Sequence, residues 1–199
     1  MKKSVFTYIL VLVLTALVLF GLTFGLRNTA EANKQSVQLR MMQALLPGSE
    51  SFVVVPYDGS DVNIQSVHKA DNGFVIETLS YGYAGNIRMY VGVSNEGKVT
   101  GLVVREAHET VGLGNNALTD HVFLAQFLNS AGSFEIATNG ADAFSSATGT
   151  ADAGSGETVE VDGITGATVT SKAVARSVNS AVGYVTGADV ASSATTWGG

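Results

Sequence analysis

The chain has 199 residues, 23 glycines, two prolines, no cysteine and a formal charge of −6, which suits one domain of ordinary size. Without cysteine it makes no disulfide, zinc–thiolate centre, cysteine-ligated iron–sulfur cluster, c-type haem or cysteine lipid anchor; no metal site is expected, and redox chemistry would need an organic cofactor. Nucleic acid is a poor partner, because no Lys or Arg lies between Arg105 and Lys172 while that interval holds nine acidic residues, the wrong sign for phosphate.

Residues 1–4 carry Lys2 and Lys3, and Val5 to Leu26 then runs 22 residues without a charge. At about 1.5 Å per residue this run is long enough to cross a hydrocarbon core of about 30 Å. A signal peptide is the competing reading, with Ala30-Glu31-Ala32 as a small-x-small cleavage site, but its apolar region is only about 7–15 residues long. The positive flank predicts a cytoplasmic N-terminus, a single transmembrane helix over 5–26 in the cell (inner) membrane, and an extracytoplasmic main domain, periplasmic or extracellular.

Residues 27–48 predict a helical stalk that continues the anchor until Pro47-Gly48 stops it. The folded domain is expected over 49–188. Within it, Phe52–Val55, Gly73–Leu79, Ile87–Ser94 and Lys98–Glu106 read as strands, rich in β-branched and aromatic residues. Asn95-Glu96-Gly97 reads as a hairpin connection between the last two. Leu118–Leu128 predicts a short helix. Residues 137–157 contain only Phe144 as a core former, so a mobile low-complexity loop is expected there. Glu157–Val161 predicts a strand and Val169–Val185 a helix. The tail 189–199 is expected to be loosely ordered, with Trp197 its only anchor. Antiparallel strands with flanking helices make an α+β domain.

The most informative stretch is Asp162-Gly163-Ile164-Thr165-Gly166-Ala167-Thr168. Gly166 permits a tight turn and a close approach to the backbone, and Ala167 adds almost no bulk. Thr168 stands at or near the start of the following helix, where unpaired N–H groups favour an anion. Lys172 and Arg176 follow four and eight residues later, on roughly one face. The plain alternative is a turn followed by a threonine helix cap. Other candidates are weaker. His108-Glu109 lacks the second histidine of a zinc protease, and neither Gly82-x-x-Gly85 nor Gly112-x-Gly114 opens the helix of a dinucleotide fingerprint. His68 and His121 have no partner visible in the sequence, and no serine of 137–157 has a histidine base nearby in sequence.

Asp-x-x-Thr-Gly-Ala-Thr resembles the flavinylation motif of the FMN-binding domain family. Two further stretches strengthen the resemblance. Ser80-Tyr81-Gly82-Tyr83-Ala84-Gly85-Asn86 resembles that family's glycine-containing entry to a central hairpin. His108-Glu109-Thr110-Val111-Gly112-Leu113-Gly114 resembles its Glu-Thr-x-Gly-Leu-Gly loop, with Val111 in place of the usual proline.

The resemblance implies FMN joined by a phosphoester to Thr168, installed by a flavin transferase that uses FAD. It makes Asp162, Thr165, Gly166 and Ala167 the motif that the transferase reads. It also implies cofactor contacts from Tyr81, Glu109, Thr110, Gly112, Leu113, Gly114 and Lys172. The single-anchor layout is similar to G-type subunits of Rnf complexes, and to the related C-type subunits of the sodium-translocating NADH:quinone reductase. The function so implied is electron transfer in a membrane complex passing electrons between ferredoxin and NAD, coupled to Na⁺ or H⁺ movement. Its partners would be the other membrane subunits and the lipid bilayer. Two alternatives stay open: a stand-alone anchored flavoprotein for extracellular electron transfer, and a cofactor-free anchored scaffold.

Overall fold

The computed structural model describes residues 2–137 and 158–187, with the side chains at 2–7, 9 and 24–31 left aside. Apart from Ala137, the expected low-complexity loop lies outside the described residues, as do the tail 189–199 and Trp197. Residues 1–41 and 42–199 form two compact units.

The first helix, α1 (Lys2–Leu45), is continuous. Leu46 donates to the Met42 carbonyl at 2.9 Å, and the chain then turns through Gly48 at φ +89°. In the first unit the side chains of 10–23 are all exposed, and among the described residues no second element of that unit covers them. Among the described residues no helix is long and apolar enough to cross a membrane.

The second unit is built on a five-stranded antiparallel sheet in sequential order: β1 (Val53–Val55), β2 (Ile64–Ala70), β3 (Gly73–Tyr81), β4 (Asn86–Ser94) and β5 (Val99–Ala107). The 95–97 hairpin joins β4 to β5, with Gly97 at φ +82°. Strand β2 is absent from the sequence expectation, because Gln65, Ser66, His68 and Lys69 interrupt its apolar residues. After β5 come α2 (Gly114–Thr119), α3 (His121–Ala125), β6 (Ser133–Ala137), β7 (Thr158–Asp162) and α4 (Thr168–Thr186). Strands β6 and β7 pair in parallel as a separate two-stranded sheet, beside the antiparallel sheet and flanking helices that the sequence predicts. The single helix expected over Leu118–Leu128 is two short helices. Asp120 adopts an extended conformation and accepts from the Val122 and Phe123 amides at 2.8 and 3.0 Å, so it starts α3 instead of continuing α2.

The sheet is buried on both faces near its centre. Ile76, Met89, Val91 and Val93 face a core shared with Val174, Val178 and Ala181 of α4. Their strand neighbours Val75 and Tyr90 pack with Met42, Leu45 and Leu46 on the other side, as the two-residue period of a strand requires. The end of α1 comes close to the strands there: Thr100 Oγ1 donates to the Leu45 carbonyl at 2.6 Å. A methyl group on Gly92 would stand 2.5 Å from that same oxygen. Gly92→Ala is therefore expected to cost about 1–3 kcal/mol in urea unfolding.

The same outer face carries a polar network. Glu77 accepts from Arg88 at 3.1 Å and from the Ser66 hydroxyl at 3.0 Å, and lies 3.8 Å from Arg105. Arg105 donates to the Tyr90 hydroxyl at 2.8 Å. His68 is buried, with Nε2 3.2 Å from Ser66 Oγ. Burial lowers its pKa, and the Glu77 charge opposes that shift only in part. In the unfolded chain the imidazole regains its ordinary affinity and binds a proton more readily. Acid therefore favours unfolding: His68 leaves stability intact above about pH 6.5 and subtracts from it as the pH falls further. His68→Phe is expected to flatten the decline in urea stability between about pH 7.5 and 5.5; an unchanged slope would assign that decline to other groups.

Candidate functional site

Helix α4 points its N-terminus at a cluster of three loops. The turn before it is shaped by Gly166 at φ +81°, and the Ala167 N–H donates to the Ile164 carbonyl at 2.9 Å. Ser171, one turn into the helix, accepts from the Ile164 amide at 3.1 Å and ties the loop back onto α4. Upstream, the Gln126 side chain holds both backbone groups of Asp162: it accepts from the amide at 2.8 Å and donates to the carbonyl at 3.3 Å. Neither Ser171 nor Gln126 was marked in the sequence, because their roles depend on partners 7 and 36 positions away.

Ala167, and not Thr168, occupies the cap position of α4, and no side chain there makes a capping bond. The cap explanation for Thr168 is thereby removed. Thr168 is the first helical residue, and it is exposed, as are Thr165, Gly166 and the Asp162 side chain, while Ala167 is buried. The first backbone bond of the helix runs from the Ser171 amide to the Ala167 carbonyl at 2.9 Å. The amides of residues 168–170 precede it as first-turn donors.

The Gly-Leu-Gly loop lies against this turn. A Cβ built on Gly166 would be 3.4 Å from Leu113 Cδ2, and Leu113 itself remains half exposed. Gly112 has φ +89°, and its carbonyl accepts from Asn116 at 2.8 Å. The Thr110 carbonyl accepts from the Leu113 and Asn115 amides at 3.4 and 3.2 Å, and Gly114 is buried where α2 begins. Tyr81 ends β3 with its ring 72% exposed, and its carbonyl accepts from Arg176 at 3.5 Å. The neighbouring rings and branches of Tyr83 and Val111 are exposed as well.

Glu109 is not directed outward. Its Oε2 accepts from the Thr170 hydroxyl at 3.2 Å and from the Ala84 amide at 3.4 Å. The structure thus joins Glu109, Leu113, Gly114 and Gly166 in one cluster, with Thr170 as a member that the sequence motifs did not mark. Lys172 is exposed on α4.

The FMN-binding domain family matches residues 82–183, spanning both glycine loops and the Thr-Gly-Ala-Thr turn. The chain belongs to the FMN-binding domain family. The chain is also similar to the G subunit of the ion-translocating oxidoreductase complex of Haemophilus influenzae strain PittEE, 40% identical over 68 residues, covering 31% of this chain and 33% of that protein. Its counterpart in strain ATCC 51907 / DSM 11121 / KW20 / Rd is 38% identical over 68 residues with the same coverage. The match thus spans about a third of the length of these curated relatives. A solved structure, that of the C subunit of the Na⁺-translocating NADH-quinone reductase from Parabacteroides distasonis ATCC 8503, has a TM-score of 0.45 and 20% identity, covering 77% of this chain and 93% of that one.

For the FMN of this family the turn is a fitting seat. It presents an exposed hydroxyl not used in capping, first-turn amides suited to a phosphate, and the apolar Leu113 beside the turn. Because Thr168 makes no cap bond, Thr168→Ala is expected to change stability by less than about 0.5 kcal/mol. Asp120→Ala, which removes a genuine cap, is expected to cost about 0.5–2 kcal/mol. Urea unfolding of the two variants compares them directly.

Proposed function

We propose that this chain is a membrane-anchored electron-transfer subunit that carries FMN through a phosphoester on Thr168. The observation that carries this reading is the exposed, uncapped position of Thr168 at the start of α4, next to the Gly-Leu-Gly loop. In attachment, a flavin transferase using FAD would join the Thr168 oxygen to the phosphorus of the FMN phosphate. The bond to the adenylate half breaks, AMP leaves, and the hydroxyl proton passes to water.

The chain's own residues divide the work. Asp162, Thr165, Gly166 and Ala167 present the hydroxyl to the transferase, with Gln126 and Ser171 fixing that presentation from behind. First-turn amides of α4 and the Lys172 ammonium offset phosphate charge. Tyr81, Thr110, Gly112, Leu113 and Gly114 line the place where the ring would rest. Once attached, the flavin supplies one- and two-electron transfer, while the protein sets its position and surroundings. A covalent link suits an extracytoplasmic domain, since a cofactor lost to a dilute exterior would not return.

The 22 uncharged residues of Val5–Leu26 and the exposed apolar side chains of 10–23 support a single-pass anchor with the N-terminus in the cytoplasm. The relatives' name, the G subunit of an ion-translocating oxidoreductase complex, supports a place among other membrane subunits of an Rnf-type complex. Its reaction would be ferredoxin:NAD oxidoreduction coupled to Na⁺ or H⁺ translocation. In this assignment the chain relays electrons and has no turnover of its own.

Co-expression with a flavin transferase provides the test. Thr168→Ala is expected to abolish covalent FMN on a folded chain, and Thr168→Ser to retain part of it. Asp162→Ala is expected to slow labelling. Covalent FMN persisting at the wild-type level in Thr168→Ala would overturn the assignment.

A further inference from the structure

The Glu109 carboxylate is held in an unusual way for a surface-loop acid. Its Oε2 takes hydrogen bonds from Thr170, which is fully buried, and from the Ala84 amide, while its Oε1 is buried without a partner. Among the described residues no Lys, Arg or His forms an ion pair with it. Two glycines make room for it. A Cβ on Gly82 would collide with Oε1, and one on Gly114 would collide with Oε2 and stand 2.8 Å from Thr170 Oγ1. Three segments, at Gly82–Ala84, Gly114 and Thr170, thus close around the carboxylate.

We infer that Glu109 is a positioning residue whose half-buried carboxylate clasps the 81–85 turn, the 109–114 loop and the first turn of α4 together, holding Leu113 against Gly166 beside Thr168. The inference rests on the proposed attachment of FMN at Thr168 for its consequence, and on the chain alone for its geometry. Two features distinguish this clasp from ordinary packing. Its acceptor oxygen is shared by two segments about 25 and 61 residues from Glu109 in sequence. Its second oxygen, Oε1, is buried with no hydrogen-bond donor. The clasp therefore positions the ring's surroundings, and an acidic side chain at that place opposes reduction of the ring.

Two substitutions separate the two effects. Glu109→Gln presents the same acceptor oxygen to Thr170 and Ala84 and removes the charge. Glu109→Ala removes both. In the full chain made without a flavin transferase, amide exchange of peptides spanning 81–86 and 109–114 is expected to quicken at least about threefold in Glu109→Ala. In Glu109→Gln it is expected to stay within about twofold of wild type. In the full chain made with the transferase, Glu109→Ala is expected to lose the visible circular dichroism of the flavin. Glu109→Gln is expected to retain it and to raise the reduction potential. If Glu109→Ala yields no folded protein, Thr170→Val, which deletes one donor at equal size, is expected to give the same exchange change in part. Unchanged exchange in Glu109→Ala, or in Thr170→Val where it stands in, overturns the clasp. Unchanged dichroism and potential in both Glu109 variants overturn its link to the flavin. Wild-type protein without FMN on Thr168 would instead defeat the attachment, while the exchange result still decides the clasp.

Discussion

Asn179 and Phe134 exchange two hydrogen bonds in the core: the Phe134 amide donates to the Asn179 side chain at 2.8 Å, and that side chain donates to the Phe134 carbonyl at 2.9 Å. Both residues are almost fully buried, so breaking the pair would leave an amide side chain and a peptide unit unsatisfied, at about 1–3 kcal/mol for each orphaned group. The pair fixes α4 along its axis against β6. Ser80 adds a second constraint from β3, donating to the Ala173 carbonyl at 2.9 Å and accepting from Ser177 at 2.9 Å. With the body of α4 pinned to both sheets, the place of its first turn follows. Everything proposed for Thr168 depends on that seating.

The glycine loops are arranged around the same helix end. Short residues at Gly82, Gly85 and Gly114 admit Glu109 and the His108 backbone between strands and helix, and a Cβ at Gly85 would stand 2.9 Å from the His108 carbonyl. Glycine therefore serves close approach here more than backbone freedom; Gly112 and Gly166, both at positive φ, are the turns proper. The outer sheet face uses different chemistry, with Glu77, Arg88, Arg105 and Tyr90 satisfying one another around the apolar patch that receives the end of α1.

Much of this was legible in the sequence. Strands β3, β4 and β5 and helix α4 announce themselves through β-branched runs, a Gly-containing hairpin and an apolar stripe, since their burial is set by local pattern. The Thr-Gly-Ala-Thr turn and Gly-Leu-Gly loop stand out in the sequence as glycine turns, while their link to a flavin comes from a family resemblance. Strand β2 was not legible, because Gln65, Ser66, His68 and Lys69 interrupt its apolar residues and His68 is buried by neighbours the sequence does not reveal. The break at Asp120 was also missed, although an aspartate before an apolar turn is a capping signal. Thr170, Gln126, Ser171 and Asn179 act on partners distant in the chain, and no local pattern encodes such pairs. The same applies to Ala167 taking the cap position that sequence rules give to threonine.

The most direct measurement is the intact mass of the denatured protein from its native host, followed by peptide mapping. The account predicts an FMN-sized adduct confined to the peptide that contains Thr168. An unmodified chain from a host with an active flavin transferase, or an adduct on another peptide, would contradict it.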